Sequence, residues 1–497
     1  MSATAIISSA AEAGTPRDVV NKRFTMSWRT VRMPLMFMLS MSLIGLEFYP
    51  ALLIALGLVI YCLKNDRQYD AVIMTIFLYG GYNFYKMPPI SRMVILFAVA
   101  LMALFVLRKS PLVKRTFALM GLYFVALMVA ALHSIEPLSH QMPILSKYLN
   151  FLFFVVPLLY FNGKPFDFGK FWHAMFPYAM LICIFYAIDY FVFCGFILHP
   201  FPARSINTFY DLDWDPLSFD FIRQRPPSYY LLVFLVYPLA RGWKMPWWAW
   251  GLVLLGVVVT QTFTVLTGFL VAFIISQGSF RKYAKYLVGG VLALVLAYTA
   301  DVMITNGNYR DTGEGQESVL RVESSLKQLI GIQEINDEED LAKLGTGRMG
   351  QTIPKIALIE ELEMTGMGFG FLHPELTTNQ MFYVYNPFYS DITKADELAS
   401  EVEITPVQVF LHMGWYGIVV QVLWLTGLWF IVRRQPMGKY FLVIMIFFLW
   451  LGVSGYSGMI MAHGQIIAAT AFAGVILSDP RRPVYRENPS LLPPDYR

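Results

Sequence analysis

A succession of long apolar blocks, separated by short segments that carry lysine and arginine, dominates this chain of 497 residues. Many blocks run for about 16 to 20 residues, close to the length that a helix needs to cross a hydrocarbon core of about 30 Å. Only 14% of the residues are charged, against about 25% in a soluble domain. Because a large buried core would not produce so many uncharged blocks with basic flanks, the pattern predicts a membrane protein.

The blocks predict an all-α polytopic membrane protein with about 12 to 14 transmembrane helices. About fourteen blocks can be counted, at 33–47, 49–63, 71–86, 91–107, 116–133, 146–161, 171–195, 229–240, 246–262, 264–278, 286–304, 406–432, 440–455 and 457–477. Lysine and arginine concentrate in every second loop, at 64–67, 108–115, 241–244, 281–285 and 433–439. The positive-inside rule places these loops in the cytoplasm.

The charge pattern also predicts how the chain is divided. The predicted parts are a cytoplasmic tail (1–32), transmembrane helices 1 to 11 (33–304) with a smaller external loop (198–228), one large periplasmic loop (305–405), C-terminal transmembrane helices (406–477) and a second cytoplasmic tail (478–497). The first apolar block lacks a signal-peptide cleavage site. We therefore expect a multi-pass protein of a bacterial inner (cytoplasmic) membrane with both termini in the cytoplasm.

The large loop, in which acidic residues outnumber lysine and arginine, contains patterns typical of short helices. Apolar residues recur at helical spacing over 318–330, and a second helix is predicted within 345–364. Three glycines follow in the sequence TGMGFGF at 365–371. They permit tight turns, but no GK[ST] motif accompanies them, so a nucleotide-binding loop is not indicated.

Two segments carry a resemblance to a known family. The segment GTGRMGQTIPKIALIEELEMTGMGFGF, followed by ITPVQVFLHMGWYGIVVQV, resembles the O-antigen ligase and Wzy-type polymerase superfamily. The pattern begins with a glycine–arginine pair, here Gly347 and Arg348, and an Ala–Leu pair, here Ala357 and Leu358. A glycine turn follows at 366–370, and then a glutamine, Gln408, and a GxxG sequence, Gly414 to Gly417. About seventy residues resemble the family closely, and the layout with one large late external loop resembles it loosely over the chain.

The chain departs from the ligase pattern at two positions. Glu403 stands where ligases look to have a histidine, eleven residues before Gly414. Thr262 and Phe263 stand where the family often has a serine–arginine pair. Both departures favour the more divergent polymerases over the ligases.

The resemblance implies a GT-C-like glycosyltransferase that is inverting and metal-independent, needs no cofactor, and takes sugars from a polyprenyl-diphosphate carrier. Its expected partners are an undecaprenyl-diphosphate-linked oligosaccharide donor and acceptor, the lipid bilayer, a chain-length regulator and a flippase, with no nucleic acid. Such a transfer needs a cationic clamp on the diphosphate and a general base for the acceptor hydroxyl. The product would be O-antigen, capsule or exopolysaccharide.

Candidate residues for these roles follow from chemistry and position. Arginine suits a diphosphate clamp because its planar fork binds phosphate oxygens in bidentate fashion. The clamp candidates are Arg348, which would be catalytic, and Arg223, Arg225 and Arg321. Arg348 and Arg321 could instead be surface arginines that pair with local acids, and Arg223 and Arg225 could instead be a stop signal that fixes the loop at the membrane surface. The base candidates are Glu403, a carboxylate beside an apolar span, and then His412 and His373.

Two further ionisable residues, Asp189 and His463, lie within predicted spans. Such residues are candidates for function, but we favour an interhelical hydrogen bond as their explanation. The acidic DLDWD run at 211–215 is read as an acceptor-binding or solvated loop. The three cysteines, Cys62, Cys183 and Cys194, lack CxxC spacing, and no His/Asp cluster suggests a metal site.

Three alternatives to a polymerase stay open. One is an O-antigen ligase that transfers the glycan to lipid A core or to protein. Another is a transporter of lipid-linked oligosaccharides, which would predict internal repeats and helices broken at the membrane midplane, although the sequence contains no internal repeat. The last is an assembly factor that uses the acidic loop as a docking surface.

Overall fold

The structure is a computed structural model that describes residues 22–45, 48, 50–80, 89–107, 110–133, 141, 145–193, 227–260, 263–277, 405–453 and 462–487. The described residues are mostly helical and contain no strand. The helices are α1 (Trp28–Gly45), α2 (Pro50–Lys64), α3 (Gln68–Gly80), α4 (Pro89–Leu107), α5 (Pro111–His133), α6 (Val155–Tyr160), α7 (Phe168–Phe193), α8 (Val233–Ala240), α9 (Trp247–Thr260), α10 (Phe263–Gln277), α11 (Thr405–Val432), α12 (Gly438–Val453), α13 (Ala462–Leu477) and α14 (Pro483–Glu487).

Two of these helices continue directly from a 3-10 helix. Asn150–Phe154 leads into α6, and Pro227–Leu232 leads into α8. Proline is the first residue of α2, α4, α5 and α14. Proline suits this position because its fixed φ matches the helix and the backbone N–H that it lacks would have no partner there.

The all-α prediction is confirmed for the described residues. Every predicted apolar block falls on a helix except 286–304, which lies outside the described residues. In the described part of the chain, three helical segments are long and apolar enough to cross a membrane: Pro111–His133, Phe168–Phe185 and His412–Val432. Shorter apolar helices of 10–17 residues surround them.

Large apolar side chains cover the outer faces of α5 and α11. Leu122 and Leu132 of α5 are 70% and 75% exposed, and Leu423 of α11 is 63% exposed. Soluble monomers rarely expose contiguous apolar patches larger than a few hundred Å². Helix α7 has the opposite character, because most of its membrane-length window is buried. These patterns place α7 in the interior of the bundle and α5 and α11 at its periphery.

Aromatic side chains fill the core where α11 and α13 meet the 3-10 helix Asn150–Phe154. The Phe151 ring lies edge-on to Trp424 and Phe472, with centroids 5.3 and 5.5 Å away. Helix α11 also packs along α5, where Tyr123 stacks on Trp424 at 4.6 Å and accepts a hydrogen bond from Gln421 Nε2 at 2.7 Å. These contacts fix the position of α11, the helix that follows the predicted large loop.

One end of the bundle joins segments that carry basic residues, and we call it the basic end. Lys164 Nζ lies 2.6 Å from Asp66 Oδ1. Arg482 donates from Nη2 to the backbone oxygens of Phe161 at 2.9 Å and Lys164 at 3.2 Å. The Lys244 N–H donates to the Lys22 backbone oxygen at 2.7 Å. In each contact both partners belong to segments that the charge pattern predicts on one side of the membrane.

Two ionisable groups of the basic end have shifted pKa values. The hydrogen bond from Lys164 holds the pKa of the exposed Asp66 carboxyl below its usual value. Burial lowers the pKa of the Arg482 guanidinium, which nevertheless stays charged because arginine keeps its proton in proteins. Arg482 therefore acts as a permanent cation that holds three carbonyl groups together, the third being Leu477 O at 2.6 Å.

Candidate functional site

Of the residues predicted to form the site, the structure describes His412. Arg348, Arg223, Arg225, Arg321, Glu403 and His373 lie outside the described residues, as do the loops 198–226 and 305–404. Asp189 and His463 lie on α7 and α13, but their side chains are outside the described part. Cys194 is outside as well, whereas Cys62 and Cys183 are buried free cysteines. The clamp and the first-choice base therefore stay predictions.

Helix α11 is broken nine residues after it begins. Gly414 has φ 62° and ψ −157°, a conformation that interrupts the helix and is essentially limited to glycine. A Cβ atom added to Gly417 would lie 2.3 Å from Met413 Cβ and 3.1 Å from the Val409 oxygen. Both glycines of the sequence GWYG are therefore required by the local backbone, one for its dihedral angles and the other for the close approach of the preceding turn.

The break separates a short segment, 405–413, from a longer one, 415–432. At 1.5 Å per residue the longer segment extends about 27 Å, which is nearly the thickness of a hydrocarbon core. Arg433 and Arg434 follow its far end. The break lies at the end of α11 opposite its arginines; in a span of this length that would be a boundary of the hydrocarbon core and not its midplane.

His412 is buried on the short segment and contacts a different helix. Its Nδ1 lies 2.9 Å from the Tyr148 hydroxyl, and both side chains are at least nine-tenths buried. If the hydroxyl donates this hydrogen bond, Nε2 of a neutral imidazole carries the proton; if Nδ1 donates, Nε2 is an acceptor and available as a base. Tyr148 is a neutral partner, so this contact orients the ring without adding a negative charge.

Two buried oxygen atoms near His412 have no hydrogen-bond partner among the described residues. They are Gln408 Oε1 and Thr405 Oγ1, and Gln408 is only 4% exposed. The indole N–H of Trp424 is likewise buried with no hydrogen-bond partner in the described part of the chain. Such groups are uncommon, because leaving a buried polar atom unpaired costs about 1–3 kcal/mol.

Further polar residues surround the 3-10 helix at the same end of the bundle. The Tyr79 hydroxyl donates to Asn150 Oδ1 at 3.0 Å, and the Phe151 N–H donates to Gln465 Oε1 at 2.9 Å. Lys147, between Ser146 and Tyr148, is half-buried. The sequence reading missed this group because it counted 146–161 as an apolar block. Polar residues inside a span were the available signal, and this block contains Ser146, Lys147 and Asn150.

The described residues hold no group of three or more histidine, cysteine, aspartate or glutamate side chains that could bind a metal ion. The described site offers hydroxyl and amide hydrogen-bonding groups, the His412 imidazole and the half-buried Lys147 ammonium. It can bind and orient hydroxyl groups. No protein-family model matches this chain, and no curated protein matches it significantly.

Proposed function

We propose that this protein is a polymerase of surface polysaccharide in a bacterial inner membrane. It would transfer a glycan from an undecaprenyl-diphosphate carrier onto another lipid-linked repeat unit. The protein would be polytopic, with the basic end in the cytoplasm and the loop 305–405 in the periplasm. The exposed apolar faces of α5 and α11 and the basic end support a membrane protein of this orientation, and the resemblance of 345–371 and 404–422 supports the reaction.

The proposed transfer is a direct displacement. The acceptor hydroxyl oxygen attacks the anomeric carbon of the donor sugar, and the bond from that carbon to the diphosphate oxygen breaks. The electron pair leaves with undecaprenyl diphosphate, whose charge Arg348, Arg223, Arg225 and Arg321 would stabilise. Glu403 would take the hydroxyl proton, with His412 and His373 as alternative bases. One displacement without a covalent intermediate inverts the anomeric centre.

The observation that carries the proposal is the position of the break in α11. Segment 405–413 follows the predicted loop directly, and its buried polar residues lie at the end of α11 opposite Arg433. A polar group at the periplasmic membrane boundary is where a lipid-linked sugar would meet its acceptor. A transporter would instead need a break near the midplane, and the length of 415–432 argues against that position.

A deletion strain tests the proposal through the electrophoretic profile of its surface glycan. A polymerase deletion should leave single repeat units on the carrier and on the surface. Full-length chains that remain unattached would indicate a ligase instead, and lipid-linked units confined to the cytoplasmic leaflet would indicate a flippase. Unchanged glycan in the deletion strain would reject all three assignments.

Complementation of the deletion strain tests the proposed residues. Arg348→Ala should abolish polymer at unchanged protein level, and Arg348→Lys should restore little of it because a point charge replaces a bidentate fork. Glu403→Gln should abolish polymer as well, because an amide cannot accept the proton. Wild-type polymer from Arg348→Ala would remove the clamp assignment.

A further inference from the structure

The unpartnered oxygens at the beginning of α11 form a pattern on one helix face. Thr405, Gln408 and His412 are separated by three and four residues, so they lie within about 60° of one another around the helix axis. Segment 405–413 is helical as far as the break at Gly414. The face therefore presents two buried acceptor oxygens beside an imidazole that Tyr148 already holds in position.

These atoms decide which ligand chemistry fits. Gln408 Oε1 can only accept a hydrogen bond, whereas the Thr405 hydroxyl can accept one or donate one. The pair therefore favours a ligand that brings O–H or N–H donors over a diphosphate, whose oxygens leave Gln408 Oε1 without a donor. The burial of Gln408 makes the lack of a donor costly in the described structure. A ligand that supplies two neighbouring donors would satisfy both oxygens, and the vicinal hydroxyls of a sugar ring do so.

We propose that Thr405 and Gln408, beside the Tyr148-held His412, form a subsite that binds hydroxyl groups of the acceptor sugar. This inference rests on the proposed polymerase function. It places the acceptor sugar at a site separate from the arginine clamp, which would bind the diphosphate of the donor. Gln408 and Thr405 are binding residues in this proposal, and the proton transfer stays with the base.

Gln465 provides the matched comparison for Gln408. It is also a buried glutamine on a membrane helix, 1% exposed, but its Oε1 accepts the Phe151 N–H. Replacing Gln465 by leucine would orphan a backbone N–H and should lower the midpoint of thermal unfolding. Replacing Gln408 by leucine removes an unpaired oxygen, which is neutral or stabilising in the absence of ligand.

The experiment uses the full-length protein in detergent and lipid-linked repeat units extracted from the deletion strain. We expect Gln408→Leu and Thr405→Val to keep or raise the unfolding midpoint without repeat units. We expect the half-saturating concentration of repeat units for polymer formation to rise on the order of tenfold, the equivalent of one lost hydrogen bond. The rise in unfolding midpoint that added repeat units cause in the wild type should shrink in both variants.

Three outcomes would overturn the subsite. One is an unchanged half-saturating concentration in both variants, and a second is an unchanged midpoint shift on addition of repeat units. The third is a fall of the ligand-free midpoint in Gln408→Leu as large as that in Gln465→Leu, which would make Gln408 a structural residue. Failure of the polymerase proposal itself is seen separately, as normal polymer in the deletion strain.

Discussion

The hydrogen bond between Tyr148 and His412 joins two segments that lie 264 residues apart in the chain. Neither residue stands out by sequence spacing, although His412 interrupts an otherwise apolar run. The bond explains why a titratable side chain is tolerated there, since a buried polar group is costly without a partner. It also gives His412 a structural role that is independent of any catalytic one.

A double-mutant cycle tests that structural role. Tyr148→Phe and His412→Leu should each lower the free energy of unfolding by about 1–3 kcal/mol, because each removes this buried hydrogen bond. The double variant should lose less than the sum of the two, with a coupling of at least about 0.5 kcal/mol. Chemical denaturation in detergent measures both quantities, and strictly additive losses would show that the bond contributes nothing.

Arg482 offers a second prediction for a single residue. Its guanidinium bonds three backbone oxygens, of Leu477, Phe161 and Lys164. Arg482→Ala would remove three charge-assisted hydrogen bonds, although Phe161 O keeps the Lys164 N–H and Leu477 O keeps the Tyr485 hydroxyl. It should lower the free energy of unfolding by about 2–4 kcal/mol. Arg482→Lys should recover only part of the loss, since an ammonium cannot reproduce the fork.

Arg486 supplies the control for Arg482. It lies four residues later and is exposed, and surface substitutions usually change stability by less than about 0.5 kcal/mol. Arg486→Ala should therefore leave the thermal unfolding midpoint almost unchanged. Equal losses from both alanine variants would contradict the bridging role of Arg482.

At the scale of one element, α11 is the least regular helix of those described. Gly414→Ala should destabilise the protein by at least about 1–2 kcal/mol, because the side chain disfavours a positive φ. It should also straighten α11 and displace Gln408 and His412. Gly57→Ala is the control: Gly57 lies in α2 with nothing within 4 Å of an added Cβ, so alanine should be neutral or stabilising there. Thermal unfolding midpoints of the two variants compare the effects.

The sequence predicted where helices occur better than where they begin or break. Apolar blocks mark the part of a helix that contacts lipid, so 116–133 missed the first turn of α5, which begins at Pro111 and includes Lys114 and Arg115. The break at Gly414 was not predicted, because a Gly within an apolar run is compatible with an intact helix. The polar residues around Asn150 were not predicted as part of a site, because the mean hydropathy of the block 146–161 stays high despite them.

At the scale of the whole molecule, the contacts at the basic end agree with the charge pattern of the loops. Asp66 contacts Lys164, and Lys22 contacts Lys244. If each apolar block crosses the membrane once, the two partners of each contact lie on the same side of the membrane. The sequence alone predicts the side of each loop, because successive loops of a multi-pass protein lie on opposite sides and the basic loops mark one of them. The arginine clamp stays a prediction, since it depends on how distant loops come together.

Cysteine labelling tests the sidedness of the bundle. In a variant that lacks the three native cysteines, Asn65→Cys should react with a membrane-impermeant maleimide only after the cells are opened. Gly345→Cys should react in intact cells, because the loop 305–405 is proposed to face the periplasm. Asn65 is exposed in the structure, so burial does not mask the label. Labelling of Gly345→Cys only in opened cells would contradict the proposed orientation and the enzyme with it.

The bridge from Arg482 to Phe161 has a consequence for biosynthesis. The two residues are 321 positions apart, so the ribosome makes the loop around Phe161 long before its partner emerges. Until then Phe161 O has the Lys164 N–H of its own loop as a donor, at 3.1 Å, but lacks the arginine. A premature stop codon just before Arg482 would leave every described apolar helix in place and still prevent this last contact. Such a truncated chain should insert normally and then be removed by membrane proteases.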